Sequence, residues 1–168
     1  KYFWFWAILE IACKRNKNSI SYMHILAKMV AIAWKYVNVN GYNLGVRDQL
    51  SKYMDILKDK LYLQNDSKEK DVEERILEFY KVMNLELVLS PLLKNVPYRF
   101  LSPWIPFTSI EDVETKSNAP DATCLYALKD DFLLINPQWF DYMNNHYEDI
   151  LDFIKKELDI YINLNKNR

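Results

Sequence analysis

Apolar residues fall into blocks along the chain, and the spacing inside each block names an element. Tyr2 to Lys14 is apolar nearly all round, interrupted by Glu10, and reads as a helix in the middle of a core. Lys14-Arg15-Asn16-Lys17-Asn18 is a polar, partly basic loop. Ser19 or Ser21 then caps a second helix running to about Val37, because a hydroxyl accepts a hydrogen bond from the free amides of a first turn. This helix carries two apolar rows, one through Leu26, Val30 and Ala33 and one through Ile25, Met29 and Ile32, so it touches two neighbours.

Asn38 to Gly45 is a loop holding both glycines of the chain. A third helix is predicted over 47–63, with Leu50, Met54, Leu57 and Leu61 on one side. Asp66 or Ser67 caps a fourth, with acidic residues early, as the helix dipole prefers. Its stripe is Val72, Ile76, Phe79, Tyr80 and Met83, and its charged outer face is expected in solvent. Leu85 to Leu93 forms a short helix, and Pro97, Pro103 and Pro106 forbid long regular structure after it. Thr108 to Asp121 reads as a polar, mobile loop. Thr123 to Leu128 and Phe132 to Ile135 read as two strands of a hairpin. Asn136-Pro137 is a helix start, since asparagine caps and proline at the first helical position loses no needed amide. Phe140, Met143, Tyr147, Ile150, Ile154, Leu158 and Tyr161 then recur at three and four, predicting one long helix. The pattern predicts a mainly α chain: a single helical domain over 1–168, of about five helices, with a small β-hairpin before a long C-terminal helix.

Composition narrows this picture. Of 168 residues, 50% are apolar and 15% aromatic, which excludes a disordered chain and leaves enough apolar material for one core. Only 2 glycines occur, so a glycine-rich phosphate loop is excluded and an all-β sandwich is disfavoured. The net charge is −1, so any nucleic-acid contact must use a local patch. Cys13 and Cys124 lie far apart among apolar neighbours and read as free buried thiols, in keeping with a reducing cytoplasm. The apolar start is too short to span a bilayer, which needs about 20 apolar residues, and no membrane contact is expected. It lacks an initiating methionine, which suggests a piece of a longer protein.

Candidate chemistry is sparse. His24 reads as a helix-start residue. His146 has no strand–loop–helix around it of the kind a ββα-metal nuclease site needs. Asp130 and Asp131 read as turn chemistry, Glu73 and Glu74 as a solvated helix face, and Glu111, Asp112 and Glu114 as loop carboxylates. No serine, threonine or cysteine has an activating neighbour. Basic groups remain: Lys14, Arg15 and Lys17 in one loop, Lys94 and Arg99 flanking the Pro-Tyr segment, and Lys155, Lys156, Lys166 and Arg168 on or after the last helix. Tyr98, Phe100 and Trp104 are packing residues or stacking platforms for bases. The candidate nucleic-acid contacts are Lys14, Arg15, Lys17, Lys94, Tyr98 and Arg99.

Four blocks carry a resemblance: Lys1-Tyr-Phe-Trp-Phe-Trp-Ala-Ile-Leu-Glu, Ile25-Leu-Ala-Lys-Met-Val-Ala-Ile-Ala-Trp, Val96-Pro-Tyr-Arg-Phe-Leu-Ser-Pro-Trp and Ile135-Asn-Pro-Gln-Trp. Together they resemble the N-terminal helical region of bacterial, Bacteroidetes-type HNH endonuclease-like proteins. The blocks are structural and aromatic. The resemblance implies a nuclease module after residue 168, with its divalent metal there and no catalytic or metal residue and no cofactor in this region. It also implies an accessory domain that positions double-stranded DNA or organises a homodimer. The competing reading is a protein-interaction or oligomerisation module with no nucleic-acid role.

Overall fold

The computed structural model describes residues 1–42, 44–45 and 49–166. Helix α1 (Tyr2–Lys14) occupies the centre. Its residues Phe3, Trp4 and Trp6 through Ala12 are buried, as a helix apolar on all sides requires. Asn16, in the left-handed region at φ 50°, turns the chain into strand β1 (Ser19–Ser21). Ser21 caps α2 (Tyr22–Trp34) by accepting from the His24 amide, so of the two candidate serines it is the cap and Ser19 belongs to a strand. A π-helical turn, Lys35–Val39, extends α2. Arg47, the predicted start of the third helix, lies outside the described residues, and α3 runs Leu50–Leu61.

Helix α4 (Glu69–Phe79) packs along α2 through Val72 and Ile76, both fully buried. Neither Asp66 nor Ser67 caps it. Ser67 instead turns back to accept from the Gln64 amide at 2.9 Å, and Lys68 precedes the helix with no side-chain cap. Short helices α5 (Leu85–Leu89) and α6 (Val96–Phe100) follow, as the prolines require. The expected loop over 108–121 contains an eight-residue helix, α7 (Ile110–Ser117). Ser109 caps it by accepting from Asp112 N at 3.1 Å, a signal hidden among polar residues. Glu111, Asp112 and Glu114 therefore sit on a helix.

The hairpin is present as β2 (Tyr126–Leu128) and β3 (Phe132–Ile135), but it is part of a larger sheet. Strand β1 adds to the other edge of β3, giving antiparallel order β1-β3-β2 with Ile20 opposite Leu133 and Ala127 opposite Leu134. Three residues between a loop and a helix carry too little period-two pattern to announce a strand.

The predicted long helix is two: α8 (Pro137–Asn145), capped by Asn136, and α9 (Tyr147–Lys166). The break falls at His146, whose φ of −124° and ψ of 27° leave the helical region. Asn144 and Asn145 are weak helix formers just before it. The three-and-four spacing survives because Met143 and Tyr147 still face inward on either side of the break. Mainly α holds as the fold class, with more helices than the five expected. Among the described residues no helix is long and apolar enough to cross a membrane.

Candidate functional site

The candidate basic residues divide into two groups. Lys14 closes α1 and pairs with Glu10 at 3.1 Å, its ammonium 5.6 Å from the Tyr147 ring centre. Arg15 is ion-paired to Glu73. Arg15, Lys17, Ser21 and His24 line one cleft of about 330 Å³ at the start of α2, with Asp131 also on its wall. In that cleft the Ser21 hydroxyl and His24 Nδ1 are 2.6 Å apart. Burial, then the nearby Arg15 and Lys17, lower the His24 pKa. The second group lies at the other end of α1. Lys1 there reaches the Arg99 carbonyl at 3.4 Å, and the 13 residues of α1 put about 20 Å of helix between the groups. Arg99 rests over the Phe107 ring at 4.7 Å, and half-buried Tyr98 donates to Glu114 at 3.2 Å. Burial, then Glu114, raise the Tyr98 pKa. Lys94 is exposed just after a 3-10 turn, Ser90–Leu93. The structure thus gathers Arg15 and Lys17 with His24, and sets Tyr98 against a carboxylate.

Three charged residues, Glu10, Lys28 and Glu73, are buried together. Glu73, expected on a solvated face, is 6% exposed, while its neighbour Glu74 is exposed. Lys28, on α2, is buried and touches three carboxylates: Glu10 at 3.0 Å, Glu69, and Glu73 at 3.5 Å. Trp6 donates to Glu10 at 3.1 Å and completes that carboxylate's shell. Burial pushes the Glu10 pKa up, but Lys28, Trp6 and Lys14 outweigh it and hold the carboxyl below its ordinary value. Burial likewise works against the Lys28 charge, and Glu69 and Glu10 raise its pKa nonetheless. The sequence carries the signal: Glu10 and Lys28 are opposite charges set in the middle of two helices that are otherwise mostly apolar, with Lys14 at the end of the first.

A further concavity is aromatic. One lobe, of about 550 Å³, lies between α1 and α9 and is walled by Tyr2, Phe5, Phe100, Phe153 and Tyr161. A second, of about 410 Å³, shares Phe5, Phe100 and Phe153 and adds Trp104, Trp139 and Tyr142. The shared rings make the two lobes one groove. Phe5 meets Phe100 at 5.3 Å and Tyr2 meets Tyr161 at 5.8 Å. Phe153, Ile160 and Leu164 of α9 are 60%, 46% and 66% exposed. At 3.6 residues per turn they lie on the side away from core-facing Leu151, Leu158 and Ile162.

The remaining candidates play local parts. His146 stacks on Tyr142 at 4.4 Å and faces Asp149 at 3.8 Å. The Asp131 carbonyl accepts from Tyr22 N, tying the hairpin turn to α2. Cys13 and Cys124 are both free thiols, and burial pushes Cys13 up to about 11. Among the described residues no group of three histidine, cysteine or acidic side chains is arranged to hold a metal ion. The chain matches no family model, no curated protein and no solved structure.

Proposed function

We propose that this chain is an accessory domain of an HNH endonuclease-like protein and that it works by contact, organising a homodimer through α9. One observation carries the reading: α9 presents a second apolar row, Phe153, Ile160 and Leu164, on the side away from its core-facing row. A helix with two apolar rows has two neighbours, and the fold supplies one. A second copy fits the charge pattern. Residues 147–154 hold three acids, Glu148, Asp149 and Asp152, and no lysine or arginine, for a net of −3. Residues 155–164 hold two lysines and two acids, for a net of 0. Two α9 helices related by a two-fold axis perpendicular to them run antiparallel and set each acidic half against the other's neutral half, which keeps like charges apart in a self-complementary contact.

Sedimentation over a concentration series tests this. The expected result is a dimer whose population rises with concentration, and a monomer with native helix content when Ile160 and Leu164 are both changed to Asp. A chain that stays monomeric up to millimolar concentration overturns the reading.

The DNA-positioning reading rests on a different observation, the cleft where Arg15, Lys17 and His24 meet the first turn of α2. Amides there favour an anion. Duplex binding that weakens steeply with salt and is lost in Lys17→Glu supports it. Binding that is absent at low salt removes it.

A further inference from the structure

We propose that the α8 end of the groove is a binding site for an organic cation carrying a quaternary ammonium group. The site goes beyond the dimer reading and does not rest on it: of the dimer row Phe153 lines this lobe, and Ile160 and Leu164 do not. Its walls are rings set nearly at right angles. Trp104 and Trp139 meet at 82° with centres 5.3 Å apart, and Trp139 and Tyr142 meet at 83° and 5.9 Å. All three rings line one cavity in different orientations, and an aromatic face attracts a cation through its quadrupole. Trp139 is fixed in place, its indole N–H donating to the Thr123 carbonyl at 2.8 Å.

Charge completes the site. Asp149 stands on the wall with its carboxylate 88% exposed, beside His146. No lysine or arginine lines this lobe. The neighbouring cations are engaged elsewhere, Arg99 over Phe107 at 4.7 Å and Lys155 over Trp6 at 5.7 Å. The cavity, about 410 Å³, has room for a trimethylammonium head with an attached apolar group. A tert-butyl group has the same shape as trimethylammonium but no charge. It gains the dispersion contacts and neither the ring quadrupoles nor Asp149.

The test titrates the whole chain with benzyltrimethylammonium and, separately, with its neutral carbon isostere neopentylbenzene. Chemical shifts of the tryptophan indole N–H groups are followed, with the Trp139 signal assigned by Trp139→Phe. The expected result is saturable movement of the Trp139 signal, with the cation at least about tenfold tighter than the isostere. Asp149→Asn should weaken the cation several-fold and leave the isostere unchanged. Trp104→Leu, checked for native helix content and unmoved signals from buried Trp4 and Trp34, should abolish cation binding. Equal affinity for the two probes overturns the proposal, and so does the absence of binding at millimolar cation. Cation binding that is unchanged in both Asp149→Asn and Trp104→Leu overturns it as well.

Discussion

On the α2–α4 side of α1, charged groups lie inside the molecule with their partners around them: Lys28 among Glu10, Glu69 and Glu73, and Arg15 on Glu73. On the α6–α9 side, apolar groups stand outside: Phe153 and Tyr142 are 60% and 49% exposed. The same helix borders both regions, Glu10 facing one and Phe5 the other. The first region is polar matter that the fold has enclosed, and its cost of desolvation is met by mutual pairing. The second is apolar matter that the fold has left open, and it is the face to which the proposed dimer and cation contacts are assigned. A buried group is held in place by stability, an exposed one by what it contacts. Substitutions in the two regions should therefore separate cleanly into folding defects and binding defects.

The largest effect should come from Lys28→Met. It leaves Glu10 and Glu73 buried without their shared cation, and breaking such a pair costs about 3–5 kcal/mol. Urea unfolding at neutral pH measures the loss. The pH dependence sharpens it. Glu10 in the folded chain titrates below its ordinary value of 4.5, so its contribution is present above that value and fades as pH falls through the folded one. Lys28 is raised above 10.5, so its contribution is present below that value and fades as pH rises through the folded one. The gap between wild type and Lys28→Met should thus narrow in acid, where the stranded carboxylates take up protons. A constant gap down to acid unfolding would mean that the network is not what the lysine stabilises.

A smaller effect is expected from Tyr126→Phe. Tyr126 is fully buried, donates to the Pro97 carbonyl at 2.7 Å and accepts from the Trp4 indole at 3.2 Å. Losing the hydroxyl orphans both groups and should cost about 1–3 kcal/mol, read from the shift in thermal midpoint. A neutral outcome would show that this side of α1 tolerates unmet polar groups. The smallest stability effect belongs to Phe153→Ser, expected within about 0.5 kcal/mol of wild type because its ring is mostly outside. Large destabilisation by Phe153→Ser would break the comparison, since the groove would then be holding the fold together.

Helices with strong periodicity were legible in the sequence. The first helix was read over 2–14 and forms over Tyr2–Lys14, and Asn136-Pro137 starts α8 as its two residue types dictate. What escaped had no local signature. Strand β1 is a strand because β3 offers it an edge, a fact that lies over 110 residues away. The break at His146 escaped because apolar spacing runs through it undisturbed. At the site, residue types were readable and convergence was not. Lys14, Arg15 and Lys17 looked like a cationic cluster, yet two of the three carboxylates that occupy it or its neighbours come from α4. The aromatic blocks are visible as blocks, but only the packing of α8 on α1 and of Phe100 on Phe5 brings Trp139 and Trp104, four residues past Phe100, to one cavity.

The central position of α1 bears on how the chain is made. Its Tyr2 ring packs on Tyr161, and α1 lies against α9, so α1 is completed by a helix made much later in synthesis. At a synthesis rate of about 5–20 residues per second, α1 waits roughly 7–30 s for the start of α9. Through that interval a helix apolar on every side has no finished core to enter. Transiently exposed apolar surface of this kind is prone to aggregate, and a stop near His146 would release a species in which the α9 side of α1 is uncovered.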